Sequence, residues 1–417
     1  MLVQFSIKNF KSFKDKVTLS MVASNYDTSV LEEENVLNIN NYNSRLLKSA
    51  VIYGANASGK TNILDALAQM NWFVINSATK TQSGDKIYHD PFKLNSTTED
   101  EPSEFEVIFI ENNIQYRYGY ELTREKILSE WLYQKKLNNK PKEIELFYRE
   151  NLAIEYHKSF EKIKKFNKEV GVVRENALLL SVSNLIEMKE SREILNWFRK
   201  LDFFLGNDHD EYIHTSVNEI RDNTDVGNEI INILKKFDIG LNNIKAIDVN
   251  SESTNKGEII VDLKSYHKKY DSDYNFIGNE TFSFMEQESS GTQKLFAVLG
   301  NVLNVLKSGE ILIIDELDSK LHHHIVHHLV KLFNSNKTNP LNAQIIFNTH
   351  NTHLLNENVF RRDQIWFLQK NRYGETKLFS LADIKARKEE NFEEKYLEGR
   401  YGAIPVISDI TELFDKI

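Results

Sequence analysis

Eight consecutive residues, Gly54-Ala55-Asn56-Ala57-Ser58-Gly59-Lys60-Thr61, fit G-x-x-x-x-G-K-[ST] in full. Glycines at those positions let backbone N–H groups converge on an anion, and a helix starting behind them adds its positive dipole end. In such a loop Lys60 reaches the β- and γ-phosphates and the Thr61 hydroxyl ligates Mg²⁺. The chemistry implied is the binding of a nucleoside triphosphate. Gly54, Asn56, Ser58, Gly59, Lys60, Thr61 and the following Asn62 make up the candidate cradle.

Two carboxylates supply the complementary chemistry. The apolar run Ile311-Leu312-Ile313-Ile314 ends in Asp315-Glu316. Asp315 is placed to hold the Mg²⁺ bound to Thr61, and Glu316 to polarise an attacking water. Ser289-Ser290-Gly291-Thr292-Gln293 precedes an apolar helix-like stretch, so Ser290 and Gly291 sit where a helix start presents a hydroxyl and free N–H groups. Standing alone, that segment reads as a simple helix cap. His350 ends another apolar run, Ala343-Gln344-Ile345-Ile346-Phe347, where an imidazole can meet a γ-phosphate.

These groups need elements to carry them. Ala50-Val51-Ile52-Tyr53 reads as a buried strand and the residues after Thr61 as a helix, the strand–loop–helix order that a phosphate loop requires. The runs ending at Asp315 and His350 read as further strands of a buried parallel sheet, which binds ligands at its C-terminal edge. Residues 1–150 read as the first part of a nucleotide-binding head. They open on a strand and include a hairpin, Glu104-Phe105-Glu106-Val107-Ile108-Phe109 with Gln115-Tyr116-Arg117-Tyr118-Gly119-Tyr120. Residues 151–250 are dense in Lys and Glu and read as a mostly helical insertion without sustained heptads. Residues 251–417 return to strands and complete the head.

The chain has 417 residues, a formal net charge of −9 and no cysteine. Disulfides, thiolate catalysis and Cys-ligated zinc are excluded. The acidic balance does not advertise nucleic-acid binding, although clustering of basic residues matters more than the total. No stretch is apolar enough to read as a membrane-spanning helix, and the start lacks a signal-peptide core, so a cytoplasmic protein is expected.

The order phosphate loop, Ser-Ser-Gly-Thr-Gln, Asp-Glu strand, Thr-His strand resembles the ABC-type ATPase head of the SMC and RecF class. The opening Asn9-Phe10-Lys11-Ser12-Phe13 resembles the start of that class. Within it the chain is most similar to the compact ATPases of bacterial abortive-infection and anti-phage systems, through residues 54–62, 288–293, Asp315 to Asp318 with Leu321-His322, and 399–405. The resemblance implies an α/β P-loop fold, a mixed sheet with helices on both sides plus an antiparallel β lobe. It also implies a slow Mg²⁺-dependent ATPase forming a homodimer, possibly a higher oligomer, with each ATP between one head's phosphate loop and Ser290-Gly291 of the other. Asp318 then belongs to the loop crossing the dimer seam. The cellular role implied is a sensor that controls a toxic effector on a separate chain, since little sequence follows residue 402 to hold a nuclease. A RecF-like clamp on DNA is the alternative. The glutamine that ligates Mg²⁺ in such heads has two weak candidates, Gln82 and Gln115.

The run His322-His323-His324 followed by His327-His328 offers i,i+4 imidazole pairs, but no third ligand or orienting group is evident. It reads as a polar helix face, with His322 near the nucleotide by resemblance. Lys162, Lys164, Lys165 and Lys168 form one basic stretch, and Lys135, Lys136, Lys140 and Lys142 another; both read as solvated surface interleaved with acids.

Overall fold

A computed structural model describes residues 1–25, 31–138, 142–206, 212–237, 240–249, 260–356, 358–387 and 390–405. Its centre is a six-stranded sheet in the order Leu201–Phe204, Ile311–Ile314, Gln344–Asn348, Ser49–Gly54, Ile365–Lys370, Thr376–Ser380. All neighbours are parallel except the last pair. Ser49–Gly54, Ile311–Ile314 and Gln344–Asn348 are buried along their whole length, which is why they read as unbroken apolar runs.

Side-chain alternation divides two cores between the faces of this sheet. Ala50, Ile52, Ile311, Ile313, Ile346 and Leu368 point into one core, together with Ile63, Leu67 and Phe73 of the helix Lys60–Asn76. Val51, Tyr53, Leu312, Ile314, Ile345 and Phe347 point into the other, with the helices Ser290–Ser308 and His323–Asn334. The period of two along each strand makes this partition unavoidable.

The first core runs on into a seven-stranded antiparallel lobe, ordered Ala153–Tyr156, Glu143–Glu150, Ile127–Lys136, Ile114–Leu122, Ser103–Glu111, Leu2–Lys8, Val17–Ser20. Buried Gln344 staples lobe to sheet, accepting from the N–H of Leu2 at 2.6 Å and donating to the Leu2 carbonyl at 3.1 Å. Tyr116, Tyr118 and Tyr120 are core residues of the lobe, the last two stacking edge-on to one another. Tyr118 also donates to Glu130, whose carboxylate accepts the N–H groups of Leu179 and Leu180 and faces the buried Arg149. The helix Leu179–Leu185 is thereby tied to the lobe.

The expected helical insertion carries more than helices. Its helices include Glu161–Val170, Lys189–Phe198 and Asp225–Phe237, and Trp197 stacks on Phe109 of the lobe at 4.0 Å between ring centroids. Between them Leu201–Phe204 joins the central sheet beside Ile311–Ile314. Four residues interrupted by Asp202 give too short a run to read as a strand. A separate three-stranded sheet, Leu241–Val249, Ile260–Tyr270, Phe276–Ser283, leads through the short helix Phe284–Gln287 to Ser289. The whole is an α/β fold, a mixed sheet covered by helices on both faces with an antiparallel lobe.

Candidate functional site

The site lies where three central strands end together, at Gly54, Ile314 and Asn348. The phosphate loop leaves the first of these and turns into the helix at Gly59, whose φ is +104°. A Cβ there would approach Ser12 Oγ to 2.6 Å, so only glycine fits in both backbone and space. Two segments distant in sequence hold the loop from beneath. Asn62 donates to Ser12 Oγ at 2.9 Å, and Thr376 Oγ1 donates to the Ser58 carbonyl at 2.9 Å while its N–H meets the Ser12 carbonyl. The Asn9–Phe13 opening thus has a concrete structural task.

Lys60 is buried and its ammonium donates to the carbonyls of Gly54 at 2.8 Å and Ala55 at 3.1 Å. Burial lowers its pKa, opposed by Glu316, Asp315 and Asp318 nearby. Thr61 Oγ1 lies 3.1 Å from each oxygen of the Asp315 carboxylate, although 254 residues separate them. The amide of Asn348 donates to Asp315, and its oxygen accepts the N–H of Glu316 at 2.6 Å. Glu316 adopts a left-handed φ of +49°. Its carbonyl accepts from Lys294 Nζ at 2.6 Å. Lys294 is 1% exposed, and burial brings its pKa down to about 8 despite the carboxylates of Asp318 and Glu316.

His350 is exposed, and its backbone N–H donates to Asp318 at 3.1 Å. The strand end bearing the histidine is therefore tied to the loop after Glu316. Asn56 is exposed and Asn62 half-buried on the cradle. Ser290 and Gly291 open the helix Ser290–Ser308, capped by Ser289 accepting from the Thr292 N–H at 3.1 Å. Ser290 is exposed, and Gly291 backs onto the Lys320 carbonyl. Among the described residues no hydrogen bond joins either to the phosphate loop of the same chain. Gln82 bonds locally to Asp85, and Gln115 lines a cleft with Gln4 and Trp366; neither touches Thr61 or Asp315.

Sequence reading passed over Lys294 and Asn348. Lys294 looks like a polar residue of a helix start, and its position inside the protein is set by the fold. Asn348 had one signal, its place at the end of a strand two residues before His350.

The donor set suits a magnesium–triphosphate. Thr61 and Asp315 offer hard oxygen donors from two elements at one point. Ser58 Oγ is buried in the loop without a hydrogen-bond partner, as an anion-facing hydroxyl would be. Among the described residues no group of three or more His, Asp or Glu side chains is placed to hold a metal ion, the histidine run included. No helix among them is long and apolar enough to cross a membrane.

The phosphate loop, the strand ending in Asp315-Glu316, the helix opening at Ser290 and the strand before His350, gathered around one sheet, are the arrangement of a P-loop ATPase. The profile of the family described as "AAA domain, putative AbiEii toxin, Type IV TA system" matches residues 49–356, and the chain belongs to that family. Among solved structures it is similar to the SMC head domain from Thermotoga maritima, at 16% identity and a TM-score of 0.40, over 91% of this chain and 98% of that one. It is also similar to the recombination mediator RecF of the RecFOR pathway with bound ATPrS, at 12% identity and a TM-score of 0.31, over 91% and 98% of the two chains. No curated protein matches the chain in sequence.

Proposed function

We propose that this chain is a magnesium-dependent ATPase switch whose two heads close on ATP and separate after hydrolysis, and that it serves an anti-phage system by controlling a separate toxic effector. The single observation carrying the enzymatic part is the meeting of Thr61 and Asp315 from opposite ends of the chain, beside Lys60 and Glu316. Lys60, Ser58 and the loop N–H groups would hold the phosphates, with Gly54 and Gly59 allowing close approach. A magnesium ion held by Thr61 and Asp315 would neutralise charge on the phosphate oxygens. Glu316 would take a proton from water, and His350 would contact the γ-phosphate. The exposed Ser290 and the half-buried Gly291 beside it would complete the partner's site. ATP then favours the closed pair only through contacts absent from the open one.

The defence role draws on the family's description as a toxin–antitoxin AAA domain, and a cytoplasmic location goes with it. The experiment is a phage challenge of cells carrying this gene with its neighbours, compared with the same locus encoding Lys60→Ala. Protection by the wild type alone supports the reading. Equal plaque counts would remove the defence role, and a wild-type protein that neither binds nor hydrolyses ATP would remove the ATPase as well.

A further inference from the structure

The helix that begins with Ser290-Gly291 also reaches, one turn later, into the catalytic strand. Lys294 is carried on it, almost wholly buried, and donates to the main-chain oxygen of Glu316 at 2.6 Å. The N–H of Glu316 is held from the other side by Asn348. The Glu316 peptide units are thus gripped on both flanks, at a residue whose φ of +49° is uncommon for anything but glycine. A second contact lies alongside, since Gly291 passes so close to the Lys320 carbonyl that a Cβ would come within 2.8 Å. The segment between Glu316 and Lys320 also holds Asp318, bonded to the N–H of His350. Any shift of the Ser290–Ser308 helix start is therefore passed to the loop bearing Glu316 and Asp318.

We infer that Lys294 is a positioning residue: it ties the signature helix to the backbone of Glu316, so that engagement of Ser290-Gly291 by a second head sets the carboxylate of the same head. The inference rests on the ATPase reading above. In a pair closed on ATP the exposed Ser290 would meet the partner's nucleotide, while Lys294, buried one turn further on, holds the Glu316 backbone of its own head. A buried ammonium is costly to keep charged, and an apolar residue of similar length would pack at least as well there. The lysine's place there is accounted for by the Glu316 carbonyl that it grips.

The test uses full-length Lys294→Met, Lys294→Arg and Lys294→Gln. ATP affinity is read by a fluorescent ATP analogue, pairing by light scattering with ATP, and turnover by phosphate release. Lys294→Met is expected to bind ATP within about twofold of wild type and still to pair, while kcat falls roughly 10- to 100-fold, the scale of a misplaced catalytic group. Lys294→Arg, which keeps a charged donor, is expected to recover a large part of kcat; Lys294→Gln, too short to reach, is not. Loss of ATP affinity in parallel with kcat would overturn the inference, as would Lys294→Met turning over at the wild-type rate. Should Lys294→Met fail to fold, Lys294→Gln decides alone, and wild-type kcat in it is the overturning result. A wild-type protein without ATPase activity would instead sink the underlying function.

Discussion

Asn348 donates from the end of one parallel strand to the carboxylate of Asp315 on the next. The same side chain accepts the Glu316 N–H, so one amide holds the Asp315 carboxylate and the Glu316 backbone together. Asn348 is wholly buried, which leaves neither of its partners a water substitute.

Replacing that amide by an isosteric apolar group should therefore be expensive. Asn348→Leu leaves the Glu316 N–H unpaired and takes one of its donors from the Asp315 carboxylate, at a cost of about 1–3 kcal/mol. The melting temperature should fall, and kcat should drop more than ATP affinity, because Glu316 loses its alignment. Calorimetry with a titration of turnover against ATP checks both; unchanged kcat would show that Glu316 is oriented some other way.

Glu316→Gln retains size and backbone contacts while removing the base. Turnover should fall about 10²- to 10⁴-fold. ATP should stay bound, and with it the paired state. Hydrolysis at the wild-type rate in a phosphate-release assay would assign the base elsewhere.

Ser290 is exposed at the first turn of its helix, so its replacement leaves the fold untouched. Ser290→Arg should keep the ATP affinity of the single head and abolish ATP-driven pairing, because the bulk occupies the face turned to the partner. Light scattering with and without ATP distinguishes the outcomes; pairs of undiminished stability would count against the two-headed arrangement.

Local chemistry was readable in the sequence and long-range placement only in part. The phosphate loop is contiguous, and its spacing alone specifies turn and helix start. Asp315 was legible because a buried parallel strand leaves an unbroken apolar run before it. Lys294 was not, since nothing in a helix start says that a lysine will be drawn inward to a carbonyl 22 residues away. The tyrosines of the lobe were legible as part of a hairpin. Their period-two alternation marks a hairpin strand, and in the fold Tyr116, Tyr118 and Tyr120 fill a core. Leu201–Phe204 escaped notice because a four-residue edge strand has no periodicity to detect; only its neighbour Ile311–Ile314 recruits it.

Lys48 gives a stability signature independent of catalysis. It is wholly buried beside Ser49–Gly54, donating to the Asn334 carbonyl at 2.9 Å and to Asn336 at 2.6 Å. Burial brings its pKa down to about 8, opposed by Glu34. An unfolded lysine titrates near ~10.4. Below pH 8 the group is charged in both states, and the folded state carries the desolvation cost. Between about 8 and ~10.4 the folded form gives up its proton first, so the unfolded state binds more protons and stability rises with pH. The gain over that window is about 3 kcal/mol, and it ends once both states are neutral. Lys294 titrates in the same range, so the comparison must be with Lys48→Met. Melting temperature measured from pH 8 to 10 should climb less steeply in that variant than in the wild type, whatever their absolute values. Parallel curves would mean that Lys48 stays charged inside the protein.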